Sequence, residues 1–191
     1  MFLSEILLES KLARNPYDIH RHLWRLFPDM PEDKRSFLYR VSYGKDNEPL
    51  RILMQSLNEP SAAENVKGCV ILRKKVFNPV LKEKDRLHFA LCANPTKQLL
   101  KERCRVPLID EDQLIEWLRK KLENAAGLEN AEITEKRNLY FRKDGKAGKI
   151  ATVSFSGQIS VNDPVTMHTT LEQGLGRAKA FGCGLMLVRR I

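Results

Sequence analysis

The sequence predicts an α+β protein built from two ferredoxin-like (RRM-like) domains in tandem. Three observations carry this. Short runs of alternating apolar and polar residues, the signature of half-buried strands, recur through the 191-residue chain. Between them lie segments of helical period, opened by Asn15-Pro16, by the acids Asp110, Glu111 and Asp112, and by Asn162-Asp163-Pro164. The strand-and-helix order of the first half also returns in the second.

Phe2–Leu8 reads as the opening strand, since an acid and no basic region accompanies its apolar residues, unlike a secretory leader. Asn15-Pro16 supplies an N-cap and a first-turn proline for a helix to about Phe27, with Ile19, Leu23 and either Leu26 or Phe27 as its buried stripe. Pro28 and Pro31 end it. Ser36–Tyr43 and Leu50–Ser56 alternate as strands around the polar segment 44–49. Glu59–Lys84 shows poor periodicity, with a short helix expected near Glu59–Val66. Arg86–Ala93 is a strand closed by Asn94-Pro95, and Pro95–Val106 a basic connection. Asp110–Asn124 is a helix with acids first, basics last, and Leu114, Trp117, Leu118 and Leu122 on one face. Ile133–Arg142 and Lys149–Ser156 flank a hairpin tip, Gln158–Val161 adds a strand, Pro164–Gln173 a helix and Leu185–Val188 the last strand. The expected division is 1–95 for the first domain and 96–191 for the second.

Lysines and arginines number 33 against 24 acids, for a net charge of +9. The excess gathers in three groups: Arg73-Lys74-Lys75 with Lys82, Lys84 and Arg86; Lys97, Lys101, Arg103 and Arg105; and Lys136, Arg137, Arg142, Lys143, Lys146 and Lys149. Such clusters favour nucleic acid, because phosphate contacts release counterions. The third lies among β-formers and glycines, not on an amphipathic helix as membrane binding needs. No apolar run approaches the roughly 20 residues of a membrane span. Cys69, Cys92, Cys104 and Cys183 are scattered and read as buried free thiols of a cytosolic protein, with no metal site and no cofactor expected.

The tail holds four glycines, Gly174, Gly176, Gly182 and Gly184, with Arg177 and Lys179 between them. Glycine lets backbone N–H groups approach an anion, and the cations favour phosphate. A dinucleotide fingerprint is excluded: Lys179 stands where a small residue is needed, and a helix rather than a strand precedes the glycines. Gly148-Lys149 is not a P-loop, because Ile150 replaces Ser/Thr.

Tyr17 and His20 are three apart on the first helix and share a face, with Arg21 beside them. Such a pair can move protons without a metal. RNA supplies its own nucleophile, the 2′-OH, so cleavage needs a base, an acid and cations for the phosphorane. The spacing leaves open which of the two is base and which acid. His20-x-His22 is a poor metal pair, since i and i+2 point apart on a helix.

Several blocks then fall in order along nearly the whole chain: Met1-Phe-Leu-Ser4, Tyr17-x-x-His20 with Leu23-Trp24-x-Leu-Phe-Pro28, Leu91-x-Ala-Asn-Pro95, Arg103–Ile109, Gly145-Lys-x-Gly-Lys-Ile150 and the Gly174–Leu185 tail. Together they resemble the CasE subgroup of CRISPR-associated repeat-processing endoribonucleases. The resemblance implies two ferredoxin-like domains and metal-independent cleavage of CRISPR precursor RNA at the base of the repeat hairpin. It also implies a 2′,3′-cyclic phosphate product, and retention of the hairpin within a surveillance complex of other subunits. By the same resemblance His20 is the catalytic histidine and Tyr17 its helper, residues 137–149 the groove-binding hairpin and 174–184 the glycine-rich loop. The expected RNA contacts are Arg21, Arg137, Arg142, Lys143, Lys146 and Lys149, with Gly174, Gly176, Arg177, Lys179, Gly182 and Gly184. Two readings compete with it. One is a non-catalytic RNA-binding module of RRM type, for which Asn138–Arg142 offers Tyr140 and Phe141, neighbours that face opposite sides of a strand. The other is a structural subunit without chemistry.

Overall fold

The computed structural model of the chain describes residues 1–28, 36–43, 48–61, 67–99, 101, 103–143 and 145–191. Its strands are β1 (Phe2–Leu8), β2 (Phe37–Ser42), β3 (Leu50–Ser56), β4 (Cys69–Val76), β5 (Arg86–Ala93), β6 (Thr96–Leu99), β7 (Cys104–Pro107), β8 (Ala126–Lys143), β9 (Lys146–Val161) and β10 (Met186–Arg190). Its α-helices are α1 (Pro16–Trp24), α2 (Glu111–Leu122) and α3 (Pro164–Gln173).

Two four-stranded sheets form, in the orders β2-β3-β1-β4 and β10-β5-β9-β8. Numbered within each series, both read 4-1-3-2 or its reverse, and each recorded pairing is antiparallel. That is the ferredoxin-like arrangement, present twice. The strand that closes the first series is β4, which the sequence pattern leaves irregular. Arg86–Ala93, expected at the end of the first domain, instead opens the second series between β10 and β9. The basic connection 95–106 holds a small two-stranded sheet, β6-β7. Pro31, segment 44–47, most of the helix expected near 59–66, and Asp144 lie outside the described residues.

Two compact units result. One comprises Met1–Pro79, Tyr140–Lys149 and Lys179–Gly182; the other comprises Val80–Leu139, Ile150–Ala178 and Cys183–Ile191. In the first, Ile6 and Leu8 of β1, Ile52 and Met54 of β3, and Phe37 and Tyr39 of β2 pack on Ile19, Leu23, Leu26 and Phe27. Full burial of each aliphatic side chain stabilises by about 1.5–3 kcal/mol. The second core gathers Leu114, Leu118 and Leu122 of α2, Met167 and Leu171 of α3, and inward residues of β5 and β9 such as Leu91 and Phe155. Trp117 stacks on Phe155 at 6.4 Å.

Strands β8 and β9 are far longer than their alternating cores suggest, and β9 absorbs the run Gln158–Val161. They cross closely at Gly157, where an added Cβ would lie 2.2 Å from the Asn130 carbonyl oxygen and 2.8 Å from Ala131 Cα. Backbone cannot yield as a flexible side chain does. Gly157→Ala is expected to cost about 1–3 kcal/mol, the scale of overpacking. A thermal unfolding midpoint equal to the parent's would contradict that tight crossing.

Candidate active site and nucleic-acid interface

Helix α1 places the predicted pair. Asn15 caps it, its side chain accepting from Tyr17 N at 3.5 Å, and Pro16 sits in the first turn. Ile19 and Leu23 face the core. The helix ends at Trp24, three residues early, because Leu26 N and Phe27 N bond to Leu23 O (3.1 Å) and Trp24 O (3.0 Å) in tightened turns ahead of Pro28. Tyr17, His20 and Trp24 are left half-buried on one face, with Arg21 and Arg25 exposed beside them. These five, with Phe27 and Pro28, line a cavity of about 650 Å³.

The imidazole of His20 is braced by rings. Phe37 lies 5.4 Å away, tilted by 34°, and Trp24 stands edge-on at 6.0 Å. Its Nε2 is buried. His22, two residues on, has a buried Nδ1 with no hydrogen-bond partner among the described residues. Burial first, then the Arg25 charge, pull its pKa below the ordinary histidine value. Among the described residues no three His, Cys, Asp or Glu side chains gather as a metal site would need.

The basic hairpin meets this helix within the same unit. Lys143 Nζ stands 5.1 Å from the centre of the Tyr17 ring, in cation–π range. Phe141 packs on Phe181 at 4.6 Å, and Phe181 on Tyr17 at 6.0 Å. Gly148 makes room for Phe141, since a Cβ there would fall 2.3 Å from its ring. Arg142, Lys143, Lys146 and Lys149 are exposed and pair with no carboxylate among the described residues. Lys149 instead lies 5.9 Å from the Tyr140 ring centre.

Elsewhere several of the basic side chains are neutralised. Arg73 and Arg51 both bond Glu5, Lys74 pairs with Glu59 at 2.6 Å, and Arg86 with Glu129 at 2.8 Å. The Arg73 hydrogen bond leads in holding the Glu5 carboxyl below its usual pKa. Lys136 pairs with Glu111 at 2.7 Å, Arg137 with Glu135 at 3.5 Å, and Arg21 with Asp18 at 3.7 Å. Sequence clustering therefore overstates the charge available to a polyanion in the first and third groups, whereas Lys97, Lys101, Arg103 and Arg105 of the second are exposed and, like the hairpin tip, face no carboxylate among the described residues.

The glycine-rich loop differs from its expected form. Gly174, Gly176, Gly182 and Gly184 all have positive φ, so their conformations do require glycine. Three of their N–H groups are already used: Gly174 N donates to Thr170 O (2.9 Å), Gly182 N to Lys179 O (3.4 Å) and Gly184 N to Cys92 O (2.7 Å). Gly182 and Gly184 are also buried. A Cβ on Gly182 would meet Tyr39 at 3.3 Å, and the Tyr39 hydroxyl donates to Ala180 O at 2.7 Å. Those two glycines permit packing, and so does Gly176, where a Cβ would meet the Trp117 ring at 3.0 Å; Arg177 is exposed and Lys179 half-buried.

The RRM platform is not formed by Tyr140 and Phe141. Tyr140 is 67% exposed, whereas Phe141 turns into the Phe181 contact. Of the four cysteines, Cys69 and Cys183 are buried, Cys92 is half-buried and Cys104 is exposed, against the expectation that all are buried. Burial pushes the Cys69 thiol up to about 11. No described helix is long and apolar enough to cross a membrane.

A family model described as CRISPR associated protein matches residues 1–190. The CRISPR system Cascade subunit CasE of Escherichia coli (strain K12) is 36% identical over 197 residues, spanning 97% of this chain and 98% of that one. The CRISPR-associated endoribonuclease Cse3 of Thermus thermophilus is 31% identical over 209 residues, spanning 98% and 99%. The structure of Thermus thermophilus Cse3 bound to an RNA representing a pre-cleavage complex matches with a TM-score of 0.85 at 31% identity, over 98% of each chain.

Proposed function

The chain belongs to the CRISPR associated protein family, and on that premise we propose that it is a metal-independent endoribonuclease of CRISPR precursor RNA. It cuts at the repeat stem-loop and keeps the resulting hairpin. The observation that carries this reading is the Tyr17/His20 face of α1, which lines a cavity beside Arg21 and Arg25 and has the Lys143 ammonium over Tyr17. Relatives named as a Cascade subunit and as an endoribonuclease support it.

The chemistry follows from the substrate. The 2′-oxygen of the upstream nucleotide attacks phosphorus as its proton passes to a base. The P–O5′ bond breaks as an acid protonates the leaving oxygen. The products are a 2′,3′-cyclic phosphate and a 5′-hydroxyl, so no water or metal enters the balance. His20 and Tyr17 fill the two proton-transfer roles, and Arg21 and Lys143 offset the phosphorane charge. Arg137, Arg142, Lys143, Lys146 and Lys149, with Gly176, Arg177 and Lys179, hold the RNA. Gly174, Gly182 and Gly184 shape the loop that presents them. Other subunits of a CRISPR surveillance complex are its partners, and the cytoplasm is where it acts.

The test is cleavage of a repeat-hairpin RNA in excess EDTA. Activity should persist, the upstream fragment should end in a cyclic phosphate, and a single 2′-deoxy substitution at the cut site should block the reaction. Loss of activity in EDTA with recovery on adding Mg²⁺, or cutting of the deoxy substrate, would overturn the reading.

A further inference from the structure

We propose that Asn15 is a positioning residue that docks the basic hairpin onto the helix carrying Tyr17 and His20. The inference rests on the function proposed above for what the docking achieves. The contact itself is a matter of hydrogen bonds.

Capping alone does not account for asparagine here. A Ser, Thr or Asp caps a helix about as well. What an amide adds is a donor and an acceptor fixed in one plane. Asn15 uses both on a single residue 127 positions away: Nδ2 donates to Arg142 O at 2.8 Å, and Arg142 N donates to Oδ1 at 3.1 Å. The side chain thus pairs with the hairpin backbone as a neighbouring strand would. The flipped amide would set donor against donor and acceptor against acceptor, so the two bonds fix its orientation. The same Oδ1 also accepts from Tyr17 N, at a longer 3.5 Å. One amide therefore bridges the first turn of α1 and the hairpin tip.

The consequence lies one residue along. With the Arg142 backbone held, its guanidinium stays exposed. Lys143 follows directly, its ammonium 5.1 Å from the Tyr17 ring centre. Phe141, on the other side, closes the contact through Phe181 onto Tyr17. Asn15, Arg142, Lys143 and Tyr17 make a closed ring of contacts within one unit. RNA gripped by the hairpin is thereby held in register with the proton-transfer pair, and Asn15 touches no reacting atom itself.

Asn15→Ser and Asn15→Asp test this in the full chain. Both keep a cap. Serine is too short to reach Arg142, and aspartate cannot donate to its carbonyl. Amide hydrogen exchange on the RNA-free protein should show faster exchange at Arg142 in the serine variant, with the α1 amides unchanged. Single-turnover cleavage should fall about 10- to 100-fold in both, the cost of misplaced reacting groups. In a Lys143→Ala background, Asn15→Ser should add little, because the two act through one contact. Parent-level exchange at Arg142 in the serine variant overturns the docking, and so does loss of α1 protection together with Arg142, which makes Asn15 only a cap. Full additivity with Lys143→Ala overturns the positioning role. A parent that fails to cleave sinks the proposed function and leaves the exchange result standing.

Discussion

Replacing His20 by alanine is expected to lower the single-turnover cleavage rate of a repeat-hairpin RNA about 10²- to 10⁴-fold, the usual scale of general acid–base catalysis. In free energy that is roughly 3–5 kcal/mol of transition-state stabilisation. RNA affinity should stay near the parent's, because His20 is a half-buried ring packed on Phe37 and Trp24, not one of the exposed cations. Tyr17→Phe should cost less. It keeps the ring that carries Lys143 and Phe181 and removes only the hydroxyl. The pair of variants separates chemistry from packing. Unchanged cleavage in His20→Ala would remove the histidine from the mechanism. An equal loss of binding and rate would make it a packing residue.

Much of this site is legible in the chain because it is local. A cap at Asn15, a proline at the first turn and a helical period fix Ile19 and Leu23 inward. Tyr17, His20 and Arg21 must then lie on the remaining faces. What cannot be read locally is what comes to meet them. Arg142 and Lys143 belong to the long hairpin of the second half of the chain, and no spacing announces a partner 127 residues away. The amide of Asn15 is the one signal available, as a cap where asparagine is no better than serine or aspartate.

The same division holds for the fold. Strands with one buried face alternate and are recognisable, β5 most of all, with Leu87, Phe89, Leu91 and Ala93 buried. Strand β4 lies at a sheet edge. Val70, Leu72 and Val76 are exposed, Arg73-Lys74-Lys75 interrupts the pattern, and its register against β1 shifts between Glu5 and Ile6. Edge exposure and a bulge erase the period of two on which sequence reading depends. With β4 missing, β5 falls to the wrong sheet. In the tail, the four glycines all take positive φ, but their presence in the sequence does not tell its purpose. At Gly182 the constraint is the Tyr39 ring, which lies in a different element and has no trace in the local sequence.

The combined replacement of Arg142, Lys143, Lys146 and Lys149 by alanine should weaken RNA binding and flatten its salt dependence more than removal of the same number of cations that already face a carboxylate. The argument is comparative. Arg73, Lys74, Arg86, Lys136 and Arg137 each face a carboxylate, so binding a phosphate there means giving up a partner already in place. The four hairpin cations have no such partner among the described residues. Each phosphate contact contributes roughly 0.7–0.9 to the log–log slope, so four of them account for about three. Between about 50 and 200 mM salt, the affinity gap between parent and variant should therefore shrink roughly 10²-fold. The measurement is titration of a labelled repeat hairpin at several salt concentrations. The control is a second quadruple variant, Arg73, Lys74, Arg86 and Lys136 to alanine, which removes the same number of charges from paired positions. If the two variants lose affinity and slope alike, net charge rather than the hairpin governs binding. If the hairpin variant keeps the parent's slope, the RNA surface lies on other residues, and the Lys143–Tyr17 contact serves the fold alone.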